Sequence, residues 1–169
     1  MKITREWGMP SMATFTIKPI AELLKRYNVG FNWIDPFAGN NSPAEYTNDI
    51  NPNTLAKEHL EADTFLDLLV DNNATGALFD PPYSNRQISE HYKNVGLKAS
   101  QKDTSAEFYS RVKNPLAKKI KKDGICISFG WNSQGMGKNR GFEIIEILLV
   151  AHGGSHNDTI VVVEKKIIN

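Results

Sequence analysis

The fold is decided at Ala77-Leu78-Phe79-Asp80-Pro81-Pro82-Tyr83-Ser84. The apolar run Ala77 to Phe79 predicts a buried strand, and Pro81 and Pro82 end it, because neither proline can donate to a sheet ladder and both fix φ. The chain must leave the sheet there. At the strand's carboxyl end, where open α/β sheets bind ligands, it presents a carboxylate, a rigid pair of carbonyls and an aromatic ring. Those groups suit a planar nucleobase, which can stack on Tyr83 while its exocyclic amine donates one hydrogen to Asp80 and the other to the Pro81 carbonyl. Two acceptors gripping one amine favour a pyramidal nitrogen with its lone pair freed for attack. Asp-Pro-Pro-Tyr can equally be an ordinary turn, so the flanking sequence has to decide.

Upstream, Ile17, Ile20, Leu23, Leu24 and Tyr27 recur at helical spacing with Pro19 in the first turn, which predicts a helix over 18–28. Phe31 to Ile34 reads as a buried strand that ends at Asp35-Pro36-Phe37-Ala38-Gly39, where small residues let a ligand approach the backbone. Ala44 to Thr47 predicts a short strand with Asp49 at its tip, and Pro52 a helix over 53–57. Asp49 is placed to accept hydrogen bonds from a ribose diol. His59 to Glu61 is expected as another strand ending at Asp63, followed by an amphipathic helix through Phe65 to Val70.

Downstream, residues 84–122 interleave basic side chains, Arg86 among them, with Tyr92, Phe108 and Tyr109, and Lys118 to Lys122 reads as a solvated helix face. Gly124 to Asn132 predicts a further buried strand, and 133–141 a mobile glycine-rich loop carrying Lys138 and Arg140. Phe142 to Ala151 and Thr159 to Lys165 are β-branched and apolar, and are expected to close the sheet as an antiparallel pair. His152 and His156, between them, have no local cysteine or third histidine, so no metal site is expected.

With 169 residues, 40% hydrophobic and 23% charged, the chain is expected to be one ordinary globular domain, and a net charge of +1 leaves any nucleic-acid contact to local patches. The single cysteine, Cys126, excludes disulfides within the chain. The N-terminus lacks a signal-peptide core and no apolar stretch is long enough to span a bilayer, so a cytoplasmic protein without membrane contact is expected. Oligomeric state is left open.

Strand–helix alternation with successive strands ending in Asp35, Asp49, Asp63 and Asp80 puts four carboxylates on one rim of a mixed seven-stranded α/β sheet. In these motifs the chain resembles, over essentially its whole length, the amino-directed, S-adenosylmethionine-dependent DNA methyltransferases, and specifically the small phage-type DNA N6-adenine methyltransferases. The resemblance implies a Rossmann-like class I methyltransferase fold in one domain, with S-adenosylmethionine as cofactor and a flipped adenine of DNA as substrate. It makes Asp80, Pro81, Pro82 and Tyr83 the catalytic motif and Asp35-Pro36-Phe37-x-Gly39 the cofactor motif. Asp49 corresponds to the residue at the ribose hydroxyls, Asp63 to the one near the cofactor's adenine amine, and Phe15, within Thr14 to Pro19, to the segment completing the pocket. No separate target-recognition domain is expected. Residues 84–122, as a substrate-facing insertion including Arg86, and Lys138 and Arg140 are then expected to hold DNA, through phosphates. N4-cytosine methylation and a catalytically silent nucleic-acid-binding module stay open, and a phage source implies the cytoplasm of a bacterial host.

Overall fold

The computed structural model describes residues 1–82, 84–99 and 106–168. In chain order its elements are β1 (Lys2–Trp7), α1 (Lys18–Arg26), β2 (Trp33–Asp35), β3 (Tyr46–Thr47), α2 (Ala62–Asp67), β4 (Ala74–Phe79), α3 (Asn85–Asn94), α4 (Ala106–Lys119), β5 (Ile120–Gly130), β6 (Phe142–Ala151) and β7 (Thr159–Lys166). They build one Rossmann-like sheet of seven strands in the order β1-β6-β7-β5-β4-β2-β3. Every neighbouring pair is parallel except those made by β7, which runs antiparallel to both β5 and β6. All strands but β7 therefore end on the same edge of the sheet. On one face α1 buries Ile20, Leu23 and Leu24 against Leu148, Val150, Val161 and Val163. On the other, α2 and α4 bury Phe65, Leu66, Val112 and Leu116 against Ala77, Phe79 and Cys126.

The count of seven matches the expectation, but its membership does not. His59 to Glu61 is not a strand, because Asn48 reaches across with its side chain: its Nδ2 donates to Leu60 O at 3.0 Å and its Oδ1 accepts from Leu60 N at 2.9 Å. That side chain takes the groups a ladder would use, leaving a single bridge between Asn48 and Glu58. The seventh strand is instead β1, a polar and mostly exposed segment that pairs with β6 and is tied to it by an ion pair from Lys2 to Glu146 (3.3 Å). Its alternation is legible, but it has little apolar surface to announce it.

Nor do residues 53–57 form a helix. Their backbone donors are taken elsewhere: Asn53 N by Asn51 Oδ1, Leu55 N by Asn40 Oδ1 and Lys57 N by Thr47 Oγ1. The run Lys118 to Lys122 is no solvated helix face, since the helix ends within it at Lys119 and β5 starts at Ile120. Lys119 is buried and donates to Leu69 O and to Asp71. The 133–141 loop, expected to be mobile, is pinned by Glu164, which accepts from Met136 N (2.5 Å) and Gly137 N (2.9 Å). Gly135 sits against this carboxylate at φ +53°, where a Cβ would collide with it.

Candidate functional site

A cavity of about 880 Å³ opens along the strands' carboxyl edge, within the size range of small-molecule sites. The exits of β2 to β6 contribute to its wall. Pro36 to Asn41 follow β2, Asn48 to Ile50 follow β3, Asp80 to Pro82 follow β4, Trp131 follows β5, and His152 leaves β6. The N-terminal segment Pro10 to Phe15 closes one side and α3 the other, through Gln87, Ile88, His91 and Tyr92.

The β2 exit is shaped from below. Asp35 is completely buried, its Oδ1 accepting from Phe37 N at 3.0 Å and its Oδ2 from Ser42 Oγ at 2.6 Å. Burial pushes its carboxyl up to about 7 against the pull of those two donors, and the charges of Asp80 and Asp49 add to the rise. Asp35 itself is not part of the wall; it holds the loop whose backbone is. Gly39 lies at φ +53° with open space where a Cβ would stand, so a ligand can meet the main chain there. Its N–H donates to Asp49 Oδ2 at 3.0 Å, and Asp49 Oδ1 accepts from Asn51 N at 2.9 Å. Both Asp49 oxygens keep lone pairs for a ligand. Asn48, buried behind them, also donates to Pro36 O (3.2 Å), so one amide clamps the loops at 36, 48 and 60 together.

Asp80 and Pro81 stand at the β4 exit, and Ser84 caps α3 by accepting from Gln87 N at 3.2 Å. Tyr83 lies outside the described residues. The Pro82 carbonyl is occupied by Tyr109 Oη, which donates to it at 2.7 Å. Tyr109 packs edge-on against Phe108, and Phe108 against Phe37 from the loop after β2, so the two loops share one aromatic support. On the far side Phe15 meets Phe129 edge-on at 5.4 Å, which fixes the N-terminal segment over the end of β5.

Of the residues singled out in the sequence, Phe15, Pro36, Phe37, Gly39, Asp49, Asp80, Pro81 and Pro82 line the cavity. Asp63 does not. It falls in the first turn of α2 and pairs with Arg111 (3.2 Å), and the residues of that stretch on the wall are Leu60, Glu61 and Ala62. The error came from placing a strand end there. Glu61 accepts from Tyr92 Oη at 2.6 Å. Arg86 is exposed on α3 and pairs with Glu90 on its own helix. Lys138 and Arg140 are at the opposite edge of the sheet, where β6 begins, roughly 30 Å along the strands from the cavity. Arg140 is bound there to Asn114 Oδ1 and Met136 O. The loop doubles back to the start of β6, which sets both residues apart from the cavity. Sequence reasoning gave no role to Asn48 or Trp131 and weighed His152 only as a metal ligand. His152 Nδ1 must carry the proton, because its partner Gly8 O (2.8 Å) can only accept, while Nε2 meets Thr159 Oγ1 at 2.8 Å. Among the described residues no group of three potential ligands is arranged to hold a metal, and no helix is long and apolar enough to cross a membrane.

No protein-family model and no curated protein matches the sequence. Solved structures share the fold. TrmN from Thermus thermophilus superposes with a TM-score of 0.58 at 16% identity, over 90% of this chain and 49% of that one. NSun6 from Pyrococcus horikoshii with SFG superposes with a TM-score of 0.51 at 14% identity, over 99% of this chain and 48% of that one. The chain thus spans about half the length of each.

Proposed function

We propose that this chain transfers a methyl group from S-adenosylmethionine to the exocyclic N6 amine of adenine in DNA. The observation that carries the reading is the cavity's charge: its described lining residues include the carboxylates Asp49, Glu61 and Asp80 and no lysine or arginine. Such a wall favours a cationic ligand rich in hydrogen-bond donors and disfavours an anionic one such as a dinucleotide. S-adenosylmethionine carries a sulfonium, an ammonium group, a ribose diol and an aromatic amine, and so fits. Asp49 would hold the ribose hydroxyls, and the open backbone at Gly39 would admit the methionine portion. When bound, the cofactor supplies a methyl group on positively charged sulfur, electrophilic enough for a neutral amine to attack.

The remaining task falls to this chain's own groups. Asp80 and the Pro81 carbonyl accept the two hydrogens of the target amine and orient its lone pair. Tyr109 keeps the adjacent Pro82 carbonyl in place, which stiffens the corner on which both acceptors stand. Tyr83 is assigned the stacking face for the base. The amine nitrogen would gain the methyl group as the sulfonium lost it and would shed its own proton to solvent afterwards, so this chain need supply no base before attack.

Fold-level analogy supports the same class. The fold is shared with TrmN and with NSun6, the latter solved with SFG. The test includes both nucleic acids. The protein is incubated with S-adenosylmethionine and unmodified DNA or RNA, and the digested nucleosides are weighed by mass spectrometry. N6-methyldeoxyadenosine is expected. N4-methyldeoxycytidine or a methylated ribonucleoside would reassign the base or the sugar. No product, together with no heat on titrating the cofactor, would leave a silent binding module.

A further inference from the structure

We propose that β1 is a docking edge for a second copy of this chain, which it meets by pairing antiparallel with the copy's own β1 about a twofold axis at Thr4. The inference is independent of the methyltransferase reading. β1 is the outermost strand of the sheet, and its inner side is taken by β6. Gly8 N, just past the strand, donates to Ala151 O at 3.0 Å, so by alternation the even-numbered residues turn their N–H and C=O groups towards β6. Ile3, Arg5 and Trp7 turn theirs outward, and no described strand lies along that side. An open edge of this kind templates pairing with another chain unless something blunts it. β1 contains neither proline nor glycine, and its residues run along β6 in unbroken register.

The strand's own charges select the partner. Centred on Thr4, the pair sets Lys2 opposite the partner's Glu6, and Glu6 opposite the partner's Lys2. Ile3 and the partner's Arg5 meet through their outward groups and exchange both main-chain hydrogen bonds, while Lys2 and the partner's Glu6 fall at the closely spaced positions where side chains approach most. Centring on Ile3 would leave Glu6 unopposed, and centring on Arg5 would set two guanidiniums against each other. The charged pairs lie on the α1 face, where Lys2 meets Glu146 yet keeps 57% of its side chain exposed, enough to reach a second carboxylate. On the other face Ile3 and Trp7 are 58% and 63% exposed, beside Ile147 and Ala151 of β6. Pairing brings Ile3 against the partner's Trp7 on the diagonal. A contact of one strand is small for a protein interface, so the dimer is weak and concentration-dependent. Antiparallel pairing turns the two carboxyl edges in opposite directions, and each cavity stays whole within its own chain.

The test is sedimentation velocity over a concentration series, in which wild type should pass from 18.9 kDa to twice that mass. Arg5→Pro removes an outward donor and spares the β6 ladder, since proline fits an edge strand where its missing N–H would face solvent. It should weaken association at least about 10-fold, with the melting temperature of the dilute protein unchanged, which separates a lost pairing from a lost strand. Glu6→Lys and Lys2→Glu should each weaken association about 5- to 50-fold, and an equimolar mixture of the two should restore it, because every lysine of one chain then faces a glutamate of the other. Thr4→Cys should cross-link to itself on mild oxidation, the native Cys126 being buried, whereas Lys2→Cys should not, because it faces the partner's Glu6. A wild type that stays at 18.9 kDa throughout the series would overturn the proposal and make β1 a blunted edge. So would a dimer that Arg5→Pro and both charge reversals leave intact, which would put the interface elsewhere, or a mixture that associates no more tightly than its components.

Discussion

The two edges of this sheet put charge to opposite uses. At the carboxyl edge, carboxylates are held by backbone donors and still face a cavity: Asp49 is fixed by Gly39 N and Asn51 N and remains part of the wall. At the amino edge, cations are consumed by the fold. Lys166 is buried and donates to Ala117 O (2.8 Å), Ile120 O (2.6 Å) and Asn72 Oδ1 (3.3 Å), where α4 gives way to β5. Lys119 and Arg140 are likewise spent on main-chain carbonyls. A lysine beside a helix's carboxyl end satisfies groups the helix leaves unpaired, whereas a carboxylate beside a strand's exit can be oriented and still accept from a ligand. Basic residues in the sequence are therefore poor guides to where a polyanion binds.

Five substitutions can break or sharpen this contrast. Asp80→Ala should slow methyl transfer by at least about 10² to 10³ while cofactor affinity and melting temperature hold, the scale of losing one preorganised polar group. Near wild-type turnover in that variant would return residues 80–83 to the status of a turn. At the other edge, Lys166→Met should cost about 1 to 3 kcal/mol in denaturant unfolding, because it strands buried carbonyls, and should leave turnover per folded molecule unchanged. Asp49→Ala should weaken the cofactor by about 1 to 3 kcal/mol in calorimetry with little effect on stability.

Asp35 gives a slope in place of a step. Its carboxyl is raised from 3.8 to about 7, so between those values the folded state holds the proton more tightly than the unfolded one. Stability from this group falls as pH rises through that window, and Asp35→Asn should flatten the fall in pH-dependent unfolding. Glu146 behaves oppositely. The Arg26 guanidinium, at 2.8 Å, and Tyr27 hold it down to about 2, so its contribution disappears on acidification from about 4.5 towards 2. The smallest effect belongs to Lys138→Ala, which should alter the KM for nucleic acid by less than about twofold if base stacking, and not distant phosphate contact, dominates. A steep loss would mean that the substrate wraps to the far edge.

Much of the architecture was legible because hydrophobic period and proline punctuation are local. The strand before Asp80, the helix from Lys18 and the antiparallel relation of β6 and β7 all follow from patterns within a dozen residues. What misled were places where side chains substituted for backbone pairing. Asn48 took up Leu60 and so erased a strand, and Asn51, Asn40 and Thr47 took up the donors of a helix expected at 53–57. Asp63 went astray with that strand. A strand end would have aimed it at the rim, but a first helical turn aims it at Arg111.

The amino-acid sequence by itself determined that strands end in carboxylates and that the chain breaks at Pro81-Pro82, since proline's missing N–H and fixed φ act wherever it stands. Only the tertiary structure decided which charged groups share a space. It put Asp49, Glu61 and Asp80 around one cavity, placed Trp131 beside them, and carried Lys138 to the opposite edge. The physical reason is that sheet order and loop path set these distances, and both depend on pairings between residues more than a hundred positions apart, as when β1 lies along β6.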